Sequence, residues 1–200
     1  MAETSGTRGE RGGRPTVTSA HEISAVAQRL FVADGFEETS IEDVARAAGI
    51  SRRTFFRYFA TKADVLFADS PAELARLRDS LARAEAGTPY REVLIRSVTE
   101  ALRVPPGEDE WARQRAQLIL TVPALQAHAT VVFAAWRSAA ADYARTRQVA
   151  DELFPLAVGH AVLAATLAAH EHWIARPGSD LGEALAGMLS LLLPPEVDGR

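Results

Sequence analysis

The sequence predicts an all-α protein with a three-helix N-terminal domain and a larger helical C-terminal domain. Apolar residues recur at spacings of three and four along most of the 200 residues, which is the period of an amphipathic helix. Sustained polar–apolar alternation is missing, and no Asn-Gly or Asp-Gly pair is flanked by alternating segments, so strands are not indicated. Alanine, the strongest helix former, is abundant throughout. Together these observations favour helices along the whole chain.

Composition places the chain among soluble globular proteins. Hydrophobic residues make up 48% of the sequence and charged residues 24%, which is enough for a sizeable core and too apolar for wholesale disorder. Without cysteine the sequence has no disulfide framework and no thiolate metal site. The longest apolar run, Phe154 to Ala169, is interrupted by His160 and falls short of the roughly 20 residues that span a bilayer. We therefore expect no membrane helix, no secretory leader and a cytoplasmic protein.

Three segments follow from composition and charge. Residues 1–18 are rich in Gly and Arg without apolar periodicity, which predicts a disordered arm. Residues 19–62 hold three short helices, and residues 63–200 hold the remaining helices. Basic residues exceed acidic ones by one over residues 1–62, although the whole chain carries a net charge of −4. The charge of the N-terminal part is therefore compatible with binding to nucleic acid, although the net charge of the whole chain is negative.

Capping signals delimit the three N-terminal helices. Each helix opens at a side chain that can cap it, and the first two end at a glycine. The signals are Ser19 with Glu22 and Gly35 for the first helix, Thr39 or Ser40 and Gly49 for the second, and Ser51 for the third, which runs from Arg52 to about Phe59. Phe55 and Phe59 fall on one face of the third helix and are interpreted as the anchor that holds it to the first one, and Arg53 and Arg57 fall on another face.

A break is predicted near Ser70, early in the C-terminal domain. Thr61 to Asp64 offers a cap for a fourth helix, but Pro71 interrupts it, because proline lacks the backbone donor that a helix interior needs. Ser70 with Glu73 predicts a second capping box around Pro71. Five further helices are expected over Tyr90–Arg103, Asp109–Thr121, Ala124–Arg147, Asp151–Ala175 and Asp180–Leu193.

The segment from Ile41 to Phe59 has the pattern of a helix-turn-helix, in which the second helix enters the DNA major groove. Arg52 and Arg53 open that helix and can donate bidentately to guanine, and Thr54 can contact a phosphate or a thymine methyl group. Periodicity alone is equally consistent with a second interpretation, in which the segment is a small three-helix core and the arginines lie on a solvated face. The arginines of the arm, at positions 8, 11 and 14, fit either a minor-groove contact or a solubilising tail.

The segment FEETSIEDVARAAGISRRTFFRYFATKADVL, residues 36–66, resembles the N-terminal DNA-binding domain of the TetR family of bacterial repressors. The resemblance implies that Tyr58 and Lys62 contact phosphates. Phe56 departs from the tyrosine of many members and cannot donate a hydrogen bond to a phosphate. The predicted DNA contacts are Ser40, Ser51, Arg52, Arg53, Thr54, Arg57, Tyr58 and Lys62. Residues 123–128 and 170–174 are also similar to regulators associated with mycofactocin gene clusters.

The family resemblance also implies a homodimer and an effector pocket in the C-terminal domain. The helix Asp151–Ala175 carries two apolar stripes, one of Leu153, Leu156, Leu163 and Leu167 and the other of Val158, Val162, Ala165 and Ala169. Leu181 to Leu192 adds another apolar face, so these helices are expected to form a four-helix dimer interface, with a monomeric core as the alternative. Apolar and aromatic side chains with a few polar groups are typical of ligand pockets. The predicted lining is Trp111, Arg115, Ile119, Phe133, Trp136, Arg137 and Tyr143. Arg115 and Arg137 fit either an anionic ligand group or a solvated helix face.

Other functional classes find little support in the sequence. The histidines of His170-Glu171-His172 diverge on a helix, so no metal site is expected, and His160 is interpreted as a satisfied core histidine. Phosphate loops, dinucleotide fingerprints and nucleophile elbows are missing, so we expect neither an enzyme nor a cofactor. We predict a ligand-responsive DNA-binding transcriptional regulator, a repressor released from a pseudo-palindromic operator by a small, largely apolar effector. An activator of the same fold and a helical adaptor or enzyme without DNA binding are the alternatives.

Overall fold

The computed structural model describes residues 19–147 and 152–195, and the arm predicted over residues 1–18 lies outside them. These residues form helices joined by turns and short loops, with no strand among them, as the sequence predicts. The helices are α1 Ala20–Asp34, α2 Ile41–Ala48, α3 Arg52–Tyr58, α4 Ser70–Ala82, α5 Tyr90–Ala101, α6 Asp109–Thr121, α7 Pro123–Arg145, α8 Leu153–Ala175 and α9 Leu181–Leu192, with a 3₁₀ turn over Ala63–Phe67. The described residues fall into two compact units, one ending at Val65 and the other beginning at Leu66.

The N-terminal unit forms as its capping signals predict. Ser19 and Glu22 complete a capping box on α1, and Ser40 and Asp43 complete another on α2. Gly49 ends α2 with φ +71°, a left-handed conformation that glycine adopts without steric cost. The three helices bury a common core that includes Ile23, Ala27, Phe31, Val44 and Phe55.

The predicted break near Ser70 is confirmed, but the predicted capping box there is wrong. The 3₁₀ turn ends at Phe67, and α4 begins at Ser70 with Pro71 in its first turn. The residue before the helix is Asp69, whose side chain makes no capping bond. Glu73 extends its carboxylate to Arg115 of α6 rather than back to the helix start, because that cation offers a stronger partner than a backbone amide.

In the C-terminal unit, α8 lies at the centre, packed against α7 and α9. Its inner stripe of Val158, Val162, Ala165 and Ala169 is buried, as predicted. Gly159 lets α7 and α8 approach closely, since a Cβ there would lie 2.7 Å from the backbone oxygen of Arg137. The unit therefore has one continuous core around the α7–α8 contact.

Two expectations for α8 need correction. His160 is exposed rather than in the core, because it lies on the side of the helix opposite Val158 and Val162. By length and composition alone α8 is also apolar enough to cross a bilayer, which the interruption at His160 led us not to expect. Its buried inner stripe is what a core helix requires, so length and composition do not by themselves indicate a membrane span.

Candidate DNA-binding surface and ligand cavity

The helix-turn-helix is held together by two phenylalanines of α3. Phe55 is fully buried and Phe59 nearly so, and their ring centroids lie 5.6 Å apart. With these rings facing inward, the opposite side of α3 faces solvent and carries Arg53 and Arg57. The prediction that the phenylalanines anchor the helix is confirmed, and the anchor leaves a basic surface free to meet a partner.

Hydroxyl groups cap the helices of this motif. Ser51 Oγ accepts a hydrogen bond from the backbone N–H of Thr54 at 3.0 Å, and the two hydroxyl oxygens lie 2.9 Å apart. Ser40 Oγ accepts from the N–H of Asp43 at 3.1 Å. The hydrogen bonds from Ser40 to its carboxylate, with that from Arg46, lower the pKa of Asp43 to about 2. These exposed hydroxyls thus occupy defined positions at the helix starts.

The three arginines of α3 differ in how they are held. Arg52 forms an ion pair with Glu42 of α2, and Arg57 stacks on the ring of Tyr58 with its guanidinium 5.1 Å from the ring centroid. Within the described part of the chain, Arg53 makes no hydrogen bond, ion pair or ring contact. Phe56 is 42% exposed beside these arginines. Arg53 is therefore the arginine of α3 whose donors are most available to DNA.

Lys62 is engaged inside the N-terminal unit. Its ammonium group donates hydrogen bonds to the backbone oxygens of Phe36 and Thr39, the latter at 2.9 Å, and lies 4.2 Å from the centroid of the Phe36 ring. Lys62 thus fixes the connection between α1 and α2. An ammonium group has three N–H donors, so a phosphate contact by the third remains a prediction.

The C-terminal unit encloses a narrow apolar cavity of about 110 Å³. Its wall includes the large side chains Phe133, Trp136 and Trp173, together with aliphatic residues of α6, α7 and α8. The polar residues that reach it are Ser70, Glu73, Arg115, Thr166 and His170. A space of this size, well below the roughly 300–1,000 Å³ of pockets for drug-sized ligands, fits a slender apolar group unless the walls move apart.

Four of the seven predicted lining residues surround this cavity, and three do not. Arg115, Ile119, Phe133 and Trp136 line it. Trp111 instead packs beside the guanidinium of Arg115, with 5.4 Å between that group and the ring centroid.

The other two side chains outside the cavity lie along α7. Arg137 is the position where α7 approaches Gly159. Tyr143 lies in a separate groove with Arg78 and Arg147. Its hydroxyl is buried there without a hydrogen-bond partner among the described residues, and burial raises the pKa of Tyr143. α7 is 23 residues long, so Tyr143 at its C-terminal end falls outside the stretch that faces the cavity.

Sequence reasoning missed the contribution of α8, which was assigned to the dimer interface. Thr166, His170 and Trp173 all line the cavity, and the indole N–H of Trp173 is buried without a hydrogen-bond partner in the part of the chain that the structure describes. His170 Nδ1 donates to the backbone oxygen of Thr166 at 2.8 Å. The apolar run over α8 gives no local signal of which side faces a cavity. Only the pairing of His170 with Trp173 at a spacing of three hinted at a shared face.

Burial lowers the pKa of His170 below its ordinary value of about 6.5. The hydrogen bond to Thr166 opposes this decrease, and the positive charge of Arg115 adds to it. The folded protein then holds His170 neutral, whereas the unfolded chain binds a proton as the pH falls below about 6.5. Stability should therefore decrease as the pH falls from about 7 toward the lowered pKa. Urea midpoints across this range should show the decrease, and His170→Gln should reduce it.

His160→Gln, which changes an exposed histidine of the same helix, serves as the control. Its urea midpoints should follow the wild-type pH dependence. An unaltered slope in His170→Gln would show that burial of this imidazole does not contribute to the pH dependence of folding.

Leucines exposed on α8 and α9 mark a second surface of this unit. Leu153 is 69% exposed and Leu191 is 78% exposed, and Leu156 and Leu192 are also exposed. A cluster of large apolar side chains in water is unfavourable unless another surface covers it. Leu163 and Leu167 belong to the same apolar stripe of α8 as Leu153 and Leu156, but the two ends of the stripe have different surroundings. Leu163 and Leu167 line the cavity, whereas Leu153 and Leu156 face outward.

Among residues 19–147 and 152–195, no group of three or more His, Cys, Asp or Glu side chains is placed to hold a metal ion. His170 bonds to the backbone of α8, and His172 contacts the guanidinium of Arg176. The two histidines therefore serve different partners.

Comparison with known proteins covers both units. Residues 23–68 match the family described as bacterial regulatory proteins, tetR family, and residues 88–196 match the family described as MftR C-terminal domain. MftR of Mycobacterium tuberculosis, named as a regulator of mycofactocin biosynthesis, is 34% identical over 91% of this chain and 93% of its own length. EthR of Mycolicibacterium smegmatis is 47% identical over 60 residues, 30% of this chain and 28% of EthR.

Among solved structures, the chain is similar to Thermus thermophilus FadR, a TetR-family repressor crystallised with lauroyl-CoA. The identity is 26% and the TM-score 0.56, covering 91% of this chain and 99% of FadR. A transcriptional regulator from Syntrophomonas wolfei has the same fold, with 17% identity and a TM-score of 0.65 over 86% of this chain and 91% of its own.

Proposed function

The chain belongs to the TetR family of bacterial transcriptional regulators, and from this premise we propose that it is a homodimeric repressor that leaves its operator when a slender, largely apolar effector fills the cavity. It is a DNA-binding regulator and not an enzyme. The observation that carries the proposal is an exposed arginine surface on α3 in one unit and a narrow apolar cavity in the other. The protein acts in the cytoplasm, where its operator is.

Operator recognition is assigned to the start of α3. Arg53 reads a base edge through its free guanidinium, and Arg52 reads another once Glu42 releases it. Hydroxyl, aromatic and remaining basic groups around them hold the phosphates and set the register. These backbone contacts are assigned to Ser40, Ser51, Thr54, Arg57, Tyr58 and Lys62. The DNA-binding domain spans residues 19–62, and residues 63–200 form the effector-binding and dimerisation domain.

The effector is a molecule with a slender apolar chain. The cavity wall offers mostly hydrocarbon and aromatic surface, including Ile119, Phe133 and Trp136. Its small volume, about 110 Å³, favours an unbranched chain over a bulky ring system. The similar FadR of Thermus thermophilus binds lauroyl-CoA, which carries such a chain, and this supports the same shape of ligand here.

Two protomers associate through α8 and α9. The exposed Leu153, Leu156, Leu191 and Leu192 supply the apolar surface, and a two-fold axis brings the same helices of each protomer together. Four helices meeting in this way bury surface that a single protomer leaves in water. The dimer then presents two copies of α3 to an operator with two-fold symmetry.

The effector proposal is tested with lauroyl-CoA as the probe. Adding it to a protein–operator complex should release the DNA, and the probe should change the fluorescence of Trp136 and Trp173, which line the cavity. Ile119→Trp fills the cavity and should abolish both responses while the operator still binds. Val131→Trp, on α7 but 75% exposed and outside the cavity, is the matched control and should respond as wild type does.

Release that persists in Ile119→Trp would place the effector elsewhere on the protein. A probe that binds without releasing DNA would contradict the repressor mechanism but leave the cavity assignment intact.

A further inference from the structure

One arginine joins α6 to the beginning of α4. Arg115 Nη1 lies 3.1 Å from Asp69 Oδ2, and Nη2 lies 3.3 Å from Glu73 Oε1. Asp69 directly precedes α4, and Glu73 lies in its first turn. We refer to Arg115, Asp69 and Glu73 together as the arginine clasp.

Within the clasp, the contact between Arg115 and Glu73 is largely shielded from solvent, whereas the side chain of Asp69 is 40% exposed. The side chain of Arg115 is 21% exposed and that of Glu73 is 14% exposed, while Trp111 packs beside the guanidinium. A partly buried, charge-assisted pair is stronger than an ion pair on an open surface, and removing one partner leaves the other charge poorly solvated. The contact therefore restrains the start of α4.

The clasp also forms part of the cavity wall. Arg115 and Glu73 line the cavity, as do Ser70 at the start of α4 and Leu66 and Phe67 just before it. An occupant that moves α6 away from α4 would lengthen the distances between Arg115 and its two carboxylates.

Arg115 is poorly suited to bind an anionic ligand group directly. Two carboxylates already satisfy its positive charge, and an incoming anion would have to displace them from a shielded site. These contacts favour a role inside the protein for Arg115 over the anionic ligand contact and the solvated helix face that the sequence left open.

We propose that Arg115 is a positioning residue that couples occupancy of the cavity to the position of α4, by holding the start of α4 in the operator-binding arrangement until an occupant separates the clasp. The inference rests on the proposed function, since it presumes an effector in this cavity. α4 is the first helix of the C-terminal unit and follows the DNA-binding unit directly in the chain. A two-state contact at its beginning is a physical means of linking the two sites.

The test separates effector binding from coupling. For each variant, the affinity for lauroyl-CoA is measured by tryptophan fluorescence, and operator affinity is measured with and without saturating lauroyl-CoA. In wild type the probe should weaken operator binding at least about fivefold. In Arg115→Gln and in Glu73→Gln, whose side chains line the cavity, that factor should fall below about twofold. In Asp69→Asn, which changes the clasp outside the cavity lining, the factor should also decrease, while the affinity for the probe stays within about threefold of wild type.

Two further variants sharpen the test. The double variant Arg115→Gln, Glu73→Gln should couple no worse than Arg115→Gln alone, because the loss of Arg115 already breaks both ion pairs of the clasp. Arg137→Gln is the matched control, since Arg137 lies outside the cavity and forms no ion pair with the described residues. In Arg137→Gln, saturating lauroyl-CoA should weaken operator binding by the same factor as in wild type.

Amide hydrogen exchange gives a readout that needs no ligand. Amides in the first turns of α4 should exchange faster in Arg115→Gln than in wild type or Arg137→Gln.

Three outcomes would overturn the inference. Wild-type coupling in Arg115→Gln would show that the clasp does not transmit the signal, and loss of probe binding together with coupling would make Arg115 a ligand contact instead. If wild-type protein binds operator but does not respond to lauroyl-CoA, the effector proposal fails. Unchanged amide exchange in α4 of Arg115→Gln would then independently overturn the proposed role of the clasp.

Discussion

Replacing Phe55 by alanine is expected to destabilise the DNA-binding unit by about 3–5 kcal/mol, the range for removing a buried phenylalanine from a core. Phe55 is fully buried and packs edge-on against the ring of Phe56, with centroids 5.6 Å apart, and against Phe59. A small three-helix unit has little stability to spare, so Phe55→Ala should unfold it and abolish operator binding. Urea unfolding followed by circular dichroism would measure the loss.

Phe56→Ala is the matched control, because it removes the same ring from the next position along α3, where the side chain is 42% exposed. It should cost no more than about 0.5–1 kcal/mol. Equal destabilisation by the two variants would contradict the assignment of Phe55 as the anchor of the helix-turn-helix.

Replacing Arg53 by alanine should weaken operator binding by about 1–3 kcal/mol, or roughly 5- to 150-fold, and relax selectivity at one base pair in each half-site. The reason is that Arg53 lies exposed at the beginning of α3 and makes no ion pair, hydrogen bond or ring contact with the described residues. Its donors are therefore available without breaking an internal contact. Affinities for the operator and for single-base variants of it would measure both effects.

Arg103→Ala removes one exposed positive charge from the C-terminal unit and serves as the control for a general change of charge. It should leave operator affinity nearly unchanged. If Arg53→Ala weakened binding to all sequences equally, Arg53 would be a phosphate contact rather than a base contact, and unchanged affinity and selectivity would remove it from the interface.

Local features of the structure could be predicted from the sequence because local residues determine them. The helix start at Ser19, the left-handed turn at Gly49 and the break near Ser70 all depend on side chains within a few positions. The anchoring role of Phe55 also follows from spacing alone, since α3 is short and has one apolar face. These are the features that fix the helix-turn-helix.

Features that depend on distant partners could not be predicted in the same way. The carboxylate of Glu73 has a local capping role available, yet it pairs with Arg115, which lies 42 positions away. In the nearly uniformly apolar helix α8, spacing does not reveal that His160 faces solvent while His170 faces the cavity. Family resemblance indicated the architecture, but the lining of the cavity required the packing of α6, α7 and α8.

The central claim is that a dimer of this protein recognises a specific duplex. The most direct measurement selects bound sequences from random duplexes with the full-length protein, then determines affinity for the selected sequence at about 50 and about 200 mM salt with excess nonspecific DNA present. The expected result is a pseudo-palindrome with half-sites about one helical turn, roughly 34 Å, apart, bound by two protomers with an affinity that falls as salt rises. Failure to enrich any sequence, or binding that salt does not weaken, would contradict it.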